Sequence, residues 1–193
     1  GKSTRLGTDK TMEHYSGEQM LQRSCRLLKS ACGQVVVSGR CPEAYGLDLS
    51  WIPDRVEGTG PMGGILTCLE TLRTPLMVLA CDMPLMDRKT LRKLVEARAL
   101  RSETAIMTTF QQEETGYIES LTAIYEPESI PYLRQALRGG SYKLSRAIPP
   151  ALRCHLPYTQ SNAQVFFNIN YPADLALLRQ VERLNKRMAD HAS

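Results

Sequence analysis

Asp82 stands just past the apolar run Leu76–Ala80 (LMVLA), where a carboxylate is well placed to hold a hard cation. Mg²⁺ takes one or two carboxylates and completes its shell with waters and substrate phosphate oxygens. A cap or turn former is the plainer use of such an Asp. Met83-Pro84 follow at once, however, and Asp87 is better placed to cap the next helix. The phosphates themselves would meet the stretch Gly1–Lys10 (GKSTRLGTDK). Its small residues Gly1, Ser3 and Gly7 let backbone N–H groups approach phosphate oxygens, and Arg5 and Lys10 add positive charge. Gly1-Lys2-Ser3-Thr4 also matches the end of a P-loop, with Leu76–Ala80 and Asp82 as its second half. A P-loop must open an unbroken helix. Here Gly7 and the turn-forming Thr8-Asp9 fall in its first turn or so, and Gly alone costs about 1 kcal/mol in a helix interior. The stretch reads as a loop.

Further along, Gly60, Gly63 and Gly64 allow close backbone approach at a helix N-terminus, which suits an anion. They would serve a tight strand-to-helix turn equally well. Asn168 and Asn170 alternate on an extended segment, so their amides point the same way. Asp54 follows Pro53 and can either begin a turn or accept hydrogen bonds from N–H or hydroxyl donors. Ser38 ends the run Val35–Val37. The three histidines are far apart and no C-x-x-C occurs, so neither a zinc site nor a Cys/His or Ser/His/Asp nucleophile can be assembled. The six cysteines read as free thiols in a reducing compartment.

Elements must bring these residues together. Leu21, Cys25, Leu28 and Cys32 recur at helical spacing, predicting a helix over 16–32 that stops at Gly33. Val35–Val37, Leu49–Ile52 and Ala105–Met107 predict short strands, and Leu76–Ala80 a parallel strand buried on both faces. Helices are expected over 61–72, after Asp87, over 127–137 and over 172–188. Leu121, Ala123 and Tyr125 alternate as a half-buried strand, and the irregular order after residue 110 suggests an antiparallel edge element. Strands alternating with helices imply an α/β domain with a mostly parallel central sheet covered on both faces. In such sheets ligands bind beyond the carboxyl ends of the strands. A chain of 193 residues fits one domain of ordinary globular composition, 42% hydrophobic and 23% charged. Its net charge of +4 comes from scattered Lys and Arg, which excludes a basic stripe for nucleic acid. No apolar stretch is long enough for a membrane span, and the expected location is the cytoplasm.

G-K-S-T-R-L-G-T-D-K resembles the signature loop of the molybdenum cofactor guanylyltransferases, written G-G-x-S-x-R-M-G-x-D-K. Gly60-Pro61-Met62-Gly63-Gly64 resembles the family's G-P-L-x-G segment, and Cys81-Asp82-Met83-Pro84 its C-D-M-P. Phe167–Pro172 resembles F-x-N-x-N-[TS]-P in part, with Tyr171 where Thr or Ser is usual. The motifs follow the family's order over nearly the whole chain. The resemblance implies a single-domain, Rossmann-like nucleotidyltransferase over 1–193, with a first strand ending in Leu-Ala-Gly ahead of Gly1. It implies transfer of GMP from GTP to molybdopterin, with Mg²⁺ at Asp82 and pyrophosphate as leaving group. Arg5, Lys10 and Asp82 would be catalytic. Gly1, Lys10, Ser38, Asp54, Gly60 and Asp82 would meet the nucleotide; Gly64, Asn168 and Asn170 would meet the acceptor. Two other readings stand beside it. One is a cytidylyltransferase or sugar-phosphate nucleotidyltransferase of the same fold. The other is a non-catalytic nucleotide-binding module that docks on molybdoenzymes or their chaperones.

Overall fold

The computed structural model describes residues 14–39, 41–55, 58–171 and 173–180. The chain enters through a two-residue hairpin, β1 (His14–Tyr15) against β2 (Glu18–Gln19), turned by Ser16 and Gly17 at positive φ. That turn delays the first helix, α1, to Met20–Lys29, four residues later than the apolar spacing predicts. Its buried residues are Met20, Leu21, Ser24, Cys25 and Leu27, and Arg26 and Lys29 lie in the last turn, where they suit the helix dipole. β3 (Val37–Ser38) and β4 (Trp51–Ile52) pair in parallel. α2 (Gly60–Leu72) has Pro61 in its first turn and ends on Arg73 at φ 54°, a left-handed stop made without glycine.

β5 (Leu76–Leu79) leads to Asp82 and then to α3 (Arg88–Ala99). Asp87 caps α3 as expected, its Oδ1 accepting from the Thr90 backbone N–H at 2.7 Å. β6 (Met107–Gln112) and β7 (Ile118–Tyr125) precede α4 (Ile130–Arg138), which stops at Gly139-Gly140. α5 (Leu144–Ala147), β8 (Arg153–Tyr158) and a helix over 173–180, α6, complete the described chain. The main sheet has the order β5-β7-β6-β8. β5, β6 and β8 run one way and β7 runs against them.

Two expectations are corrected. The antiparallel strand β7 lies inside the sheet, bonded to β5 and β6, and is therefore mostly buried instead of half-buried. β5, expected to be buried on both faces, is half-exposed along its length, with β7 as its ladder partner among the described residues. β8 escapes the sequence pattern because RCHLPY contains Pro157 and no clean alternation. Pro is tolerated there because β8 is an edge strand among the described residues.

One core lies between α2, α4 and α5 and one face of the sheet, around Met62, Leu69, Met107, Tyr125 and Leu133. Another covers the opposite face beneath α1 and α3, around Leu27, Leu91, Leu94, Phe110 and Phe166. Helices thus pack both faces, as the alternation of elements predicts.

Candidate active site

Because β5, β6 and β8 are parallel, their carboxyl ends and the start of β7 share one end of the sheet. Asp82 sits there on a strap held from several sides. The Ala80 N–H donates to the Leu121 carbonyl at 3.0 Å, extending the β5–β7 ladder, and the Ser24 hydroxyl donates to the Ala80 carbonyl at 3.5 Å. Beyond Asp82, the Arg23 guanidinium donates to the Pro84 carbonyl at 2.9 Å and the Met86 carbonyl at 3.0 Å. The Thr122 hydroxyl reaches the Met83 sulfur at 3.1 Å, and Met83 and Met86 are buried anchors. Neighbouring polar sequence gave no sign of Arg23, which reads as a solvated residue on an amphipathic helix.

Asn168 and Asn170 are brought to the same place. The Ile169 N–H donates to the Asp82 carbonyl at 2.9 Å, joining two segments more than eighty residues apart. Ile169 is 2% exposed and packs on Met20, Leu175 and Leu178, so the residues on either side of it face the opposite way, as their alternation predicts. The turn into α6 uses the same segment: the Asp174 carboxylate accepts the backbone N–H groups of Asn170 at 2.7 Å and Tyr171 at 2.8 Å. The backbone of Asn170 therefore serves the turn, and the residue is exposed.

Ser38, Asp54 and Gly64 form a second group. The Ser38 hydroxyl donates to Asp54 Oδ1 at 3.4 Å, and Gly39, at φ 90°, donates its N–H to the Ile52 carbonyl at 2.9 Å. A methyl at Gly64 would strike the Ser38 hydroxyl and stand 3.1 Å from Asp54 Oδ1; one at Gly39 would stand 3.2 Å from Asp54 Oδ2. Two glycines therefore make room for this serine–carboxylate pair. Gly64, which the resemblance assigns with Asn168 and Asn170 to the acceptor, lies against Ser38 and Asp54. Burial pushes up the pKa of the Cys68 thiol on the same helix as Gly64. Gly60 opens α2 at φ 60° with open space where a Cβ would be, and the first turn has no side-chain cap. Both features keep the helix N-terminus approachable by an anion.

The two groups meet across one small cluster. Cys81, next to Asp82, packs on Leu21, Cys25, Tyr45 and Val37, the last being next to Ser38. α2 touches both β3 and β5. Asp82 thus has the Ser38–Asp54 group on one flank and β7 on the other. Gly1, Arg5 and Lys10 lie outside the described residues. Among the described residues no group of three or more His, Cys, Asp or Glu could hold a metal by itself, all six cysteines are free thiols, and no helix is long and apolar enough to cross a membrane.

The comparisons with known proteins fall on the same ground. The family model for the MobA-like NTP transferase domain matches residues 1–153. A molybdenum cofactor biosynthesis bifunctional protein of Synechocystis is 30% identical over 178 residues, covering 90% of this chain; the chain spans 50% of the length of that relative. A molybdenum cofactor guanylyltransferase of Xanthomonas euvesicatoria is 30% identical over 179 residues, covering 89% of this chain and 86% of its own. The crystal structure of molybdopterin-guanine dinucleotide biosynthesis protein A from Archaeoglobus fulgidus superposes with a TM-score of 0.71. It covers 94% of each chain at 21% identity, a likeness of fold. The family model runs through the segments that carry Ser38, Asp54 and Asp82, and the chain belongs to the MobA-like NTP transferase domain family, as a nucleotidyltransferase related to the molybdenum cofactor guanylyltransferases.

Proposed function

We propose that this single domain transfers GMP from GTP to the terminal phosphate of molybdopterin, releasing pyrophosphate. The observation that supports the reading is the Ile169–Asp82 backbone hydrogen bond, which ties the Asn168–Asn170 segment to the residue that carries the acid, while Ser38 and Asp54 pair elsewhere. A nucleotide and an acceptor then have separate walls with one acid between them.

Asp82 suits Mg²⁺. Its oxygens are hard donors on a firmly anchored strap, and the lack of a three-carboxylate cage among the described residues fits an ion that draws its remaining ligands from phosphates and water. When bound, the ion offsets charge on the phosphoryl oxygens. The protein does the rest by position. Asp54, steadied by Ser38, accepts from the guanine N–H donors, and the open first turn of α2 at Gly60 faces phosphate. Arg5, Lys10 and the backbone at Gly1 hold the α-phosphate and the departing pyrophosphate. Asn168 and Asn170 orient the acceptor so that its phosphate oxygen lies in line with the leaving group, as phosphoryl-group chemistry requires. Free thiols at all six cysteines support a reducing cytoplasm.

Pyrophosphate release tests the reading. Turnover is expected with GTP plus molybdopterin, and CTP or ATP should support far less, since a site built on hydrogen bonds rejects bases that leave them unmade. Equal rates with CTP would favour the cytidylyl alternative; nucleotide binding without turnover would favour the docking module on molybdoenzymes.

A further inference from the structure

Glu119 stands where β7 begins. The pairing Leu79↔Thr122 and the Ala80-to-Leu121 bond carry the ladder to the turn that holds Asp82, so Glu119 and Asp82 occupy the same end of neighbouring strands. Glu119 is 5% exposed. Its Oε1 accepts the Tyr158 hydroxyl at 2.6 Å, and its backbone carbonyl accepts the Thr109 hydroxyl at 3.0 Å. The Tyr158 ring lies against Phe166, centroids 4.6 Å apart, and Phe166 leads within two residues to Asn168. Among the described residues the ion pairs use Glu18, Glu70 and Glu126, and none uses Glu119. A carboxylate so deeply placed is costly unless N–H donors come to it. A perturbed acid at the ligand end of the sheet is accordingly a candidate for function.

We propose that Glu119 is the specificity residue for the acceptor: its carboxylate receives the ring N–H and exocyclic amino donors of a 2-amino-4-oxopyrimidine ring. This rests on the proposed reaction for the acceptor's identity. Guanine and pterin present the same pair of donors, and a carboxylate accepts either edge with two parallel hydrogen bonds. Position separates them. Asp54 lies with Ser38 and Gly64 on one flank of Asp82, whereas Glu119, through Tyr158 and Phe166, lies on the flank of Asn168. The two heterocycles of the product each meet one carboxylate, and the reacting phosphates lie between. Tyr158 is a positioning residue that fixes the rotamer of Glu119.

Equilibrium titrations of the whole chain with GTP and, separately, with molybdopterin test this, using the parent, Glu119→Gln and Tyr158→Phe. Glu119→Gln keeps the side chain's size and an oxygen for Tyr158, but replaces one acceptor by a donor. The expected result is a molybdopterin Kd raised about tenfold or more with the GTP Kd within about twofold, and a smaller rise for Tyr158→Phe. An unchanged molybdopterin Kd in a parent that transfers GMP overturns the role of Glu119 alone. A rise confined to GTP overturns it too, assigning Glu119 to the guanine. A parent that fails to bind molybdopterin overturns the reaction and this role together.

Discussion

Glu119 and Glu126 stand at opposite ends of the same strand, 5% and 4% exposed, and their surroundings differ completely. Glu126, just past the carboxyl end of β7, accepts two hydrogen bonds from Arg98 at 2.7 and 2.9 Å and has Arg101 at 3.4 Å. It fastens the last turn of α3 to the sheet, and its charge is matched within the chain. Glu119, at the ligand end, has a tyrosine hydroxyl and no cation among the described residues. Burial raises its pKa above the ordinary 4.5, against the opposing hydrogen bond from Tyr158. Equal burial therefore means different things. A buried acid with its own cations is a fastening, and one that has none among the described residues is a candidate for binding.

The widest separation between the two ends is expected from Asp82→Asn. The backbone anchors at Ala80, Asp82 and Pro84 do not need the carboxylate, so Tm should stay close to the parent. Pyrophosphate release should fall roughly a hundredfold or more, since each 1.36 kcal/mol of lost phosphoryl-charge stabilisation is about tenfold in rate. An active Asp82→Asn protein would break the distinction between the ends.

The converse holds at the other end. Arg98→Met keeps the stem and strands most of the Glu126 charge. The cost in unfolding free energy should be roughly 3 kcal/mol, the low end for a broken buried pair because Arg101 remains and Arg98 is itself about one-third exposed. Denaturant titration measures it, and the KM values for both substrates should hold at a temperature where the variant is folded.

Asp87→Ala removes the cap that starts α3 at the ligand end. About 1 kcal/mol, or roughly 2–4 °C in Tm, should be lost without a change in kcat beyond about twofold. A larger loss of kcat would mean that α3 transmits strain to the Asp82 strap.

Glu119→Gln should act in the opposite sense on stability. A carboxyl whose folded pKa is raised binds more protons folded than unfolded, so its contribution weakens as pH rises from about 4.5 through the folded value. Neutralising it should therefore raise Tm at pH 8, with the gain shrinking toward pH 4. Tyr158 and Tyr117, the neighbours that face it, stay protonated throughout that window, their pKa values being held up by burial. Thermal melts across the range would show it; a destabilised Glu119→Gln at pH 8 would mean that the charge is already matched.

Residue order alone determined much of this protein. The helical spacing in α1, the Asp87 cap, the Gly139-Gly140 stop and the alternation of Asn168 and Asn170 about Ile169 are local effects, set by backbone geometry over a few residues. The motif around Asp82 was legible for the same reason, since an apolar run that ends in an acid marks a strand and its exit. Other features required the folded chain. The interior place of β7 and the half-exposure of β5 depend on which strands pair, and pairing is a long-range choice that a short apolar run leaves open. Gly64 belongs with Ser38 and Asp54 because α2 crosses β3 at that point. Arg23 holds the Asp82 strap because α1 packs more than sixty residues upstream of the carbonyls it binds. Glu119 and Glu126 are acids at the two ends of one β-strand in sequence, the first inside it and the second just past it. Only the tertiary structure sets two arginines beside one and, among the described residues, none beside the other, because charge matching depends on distances through space that spacing along the chain does not encode.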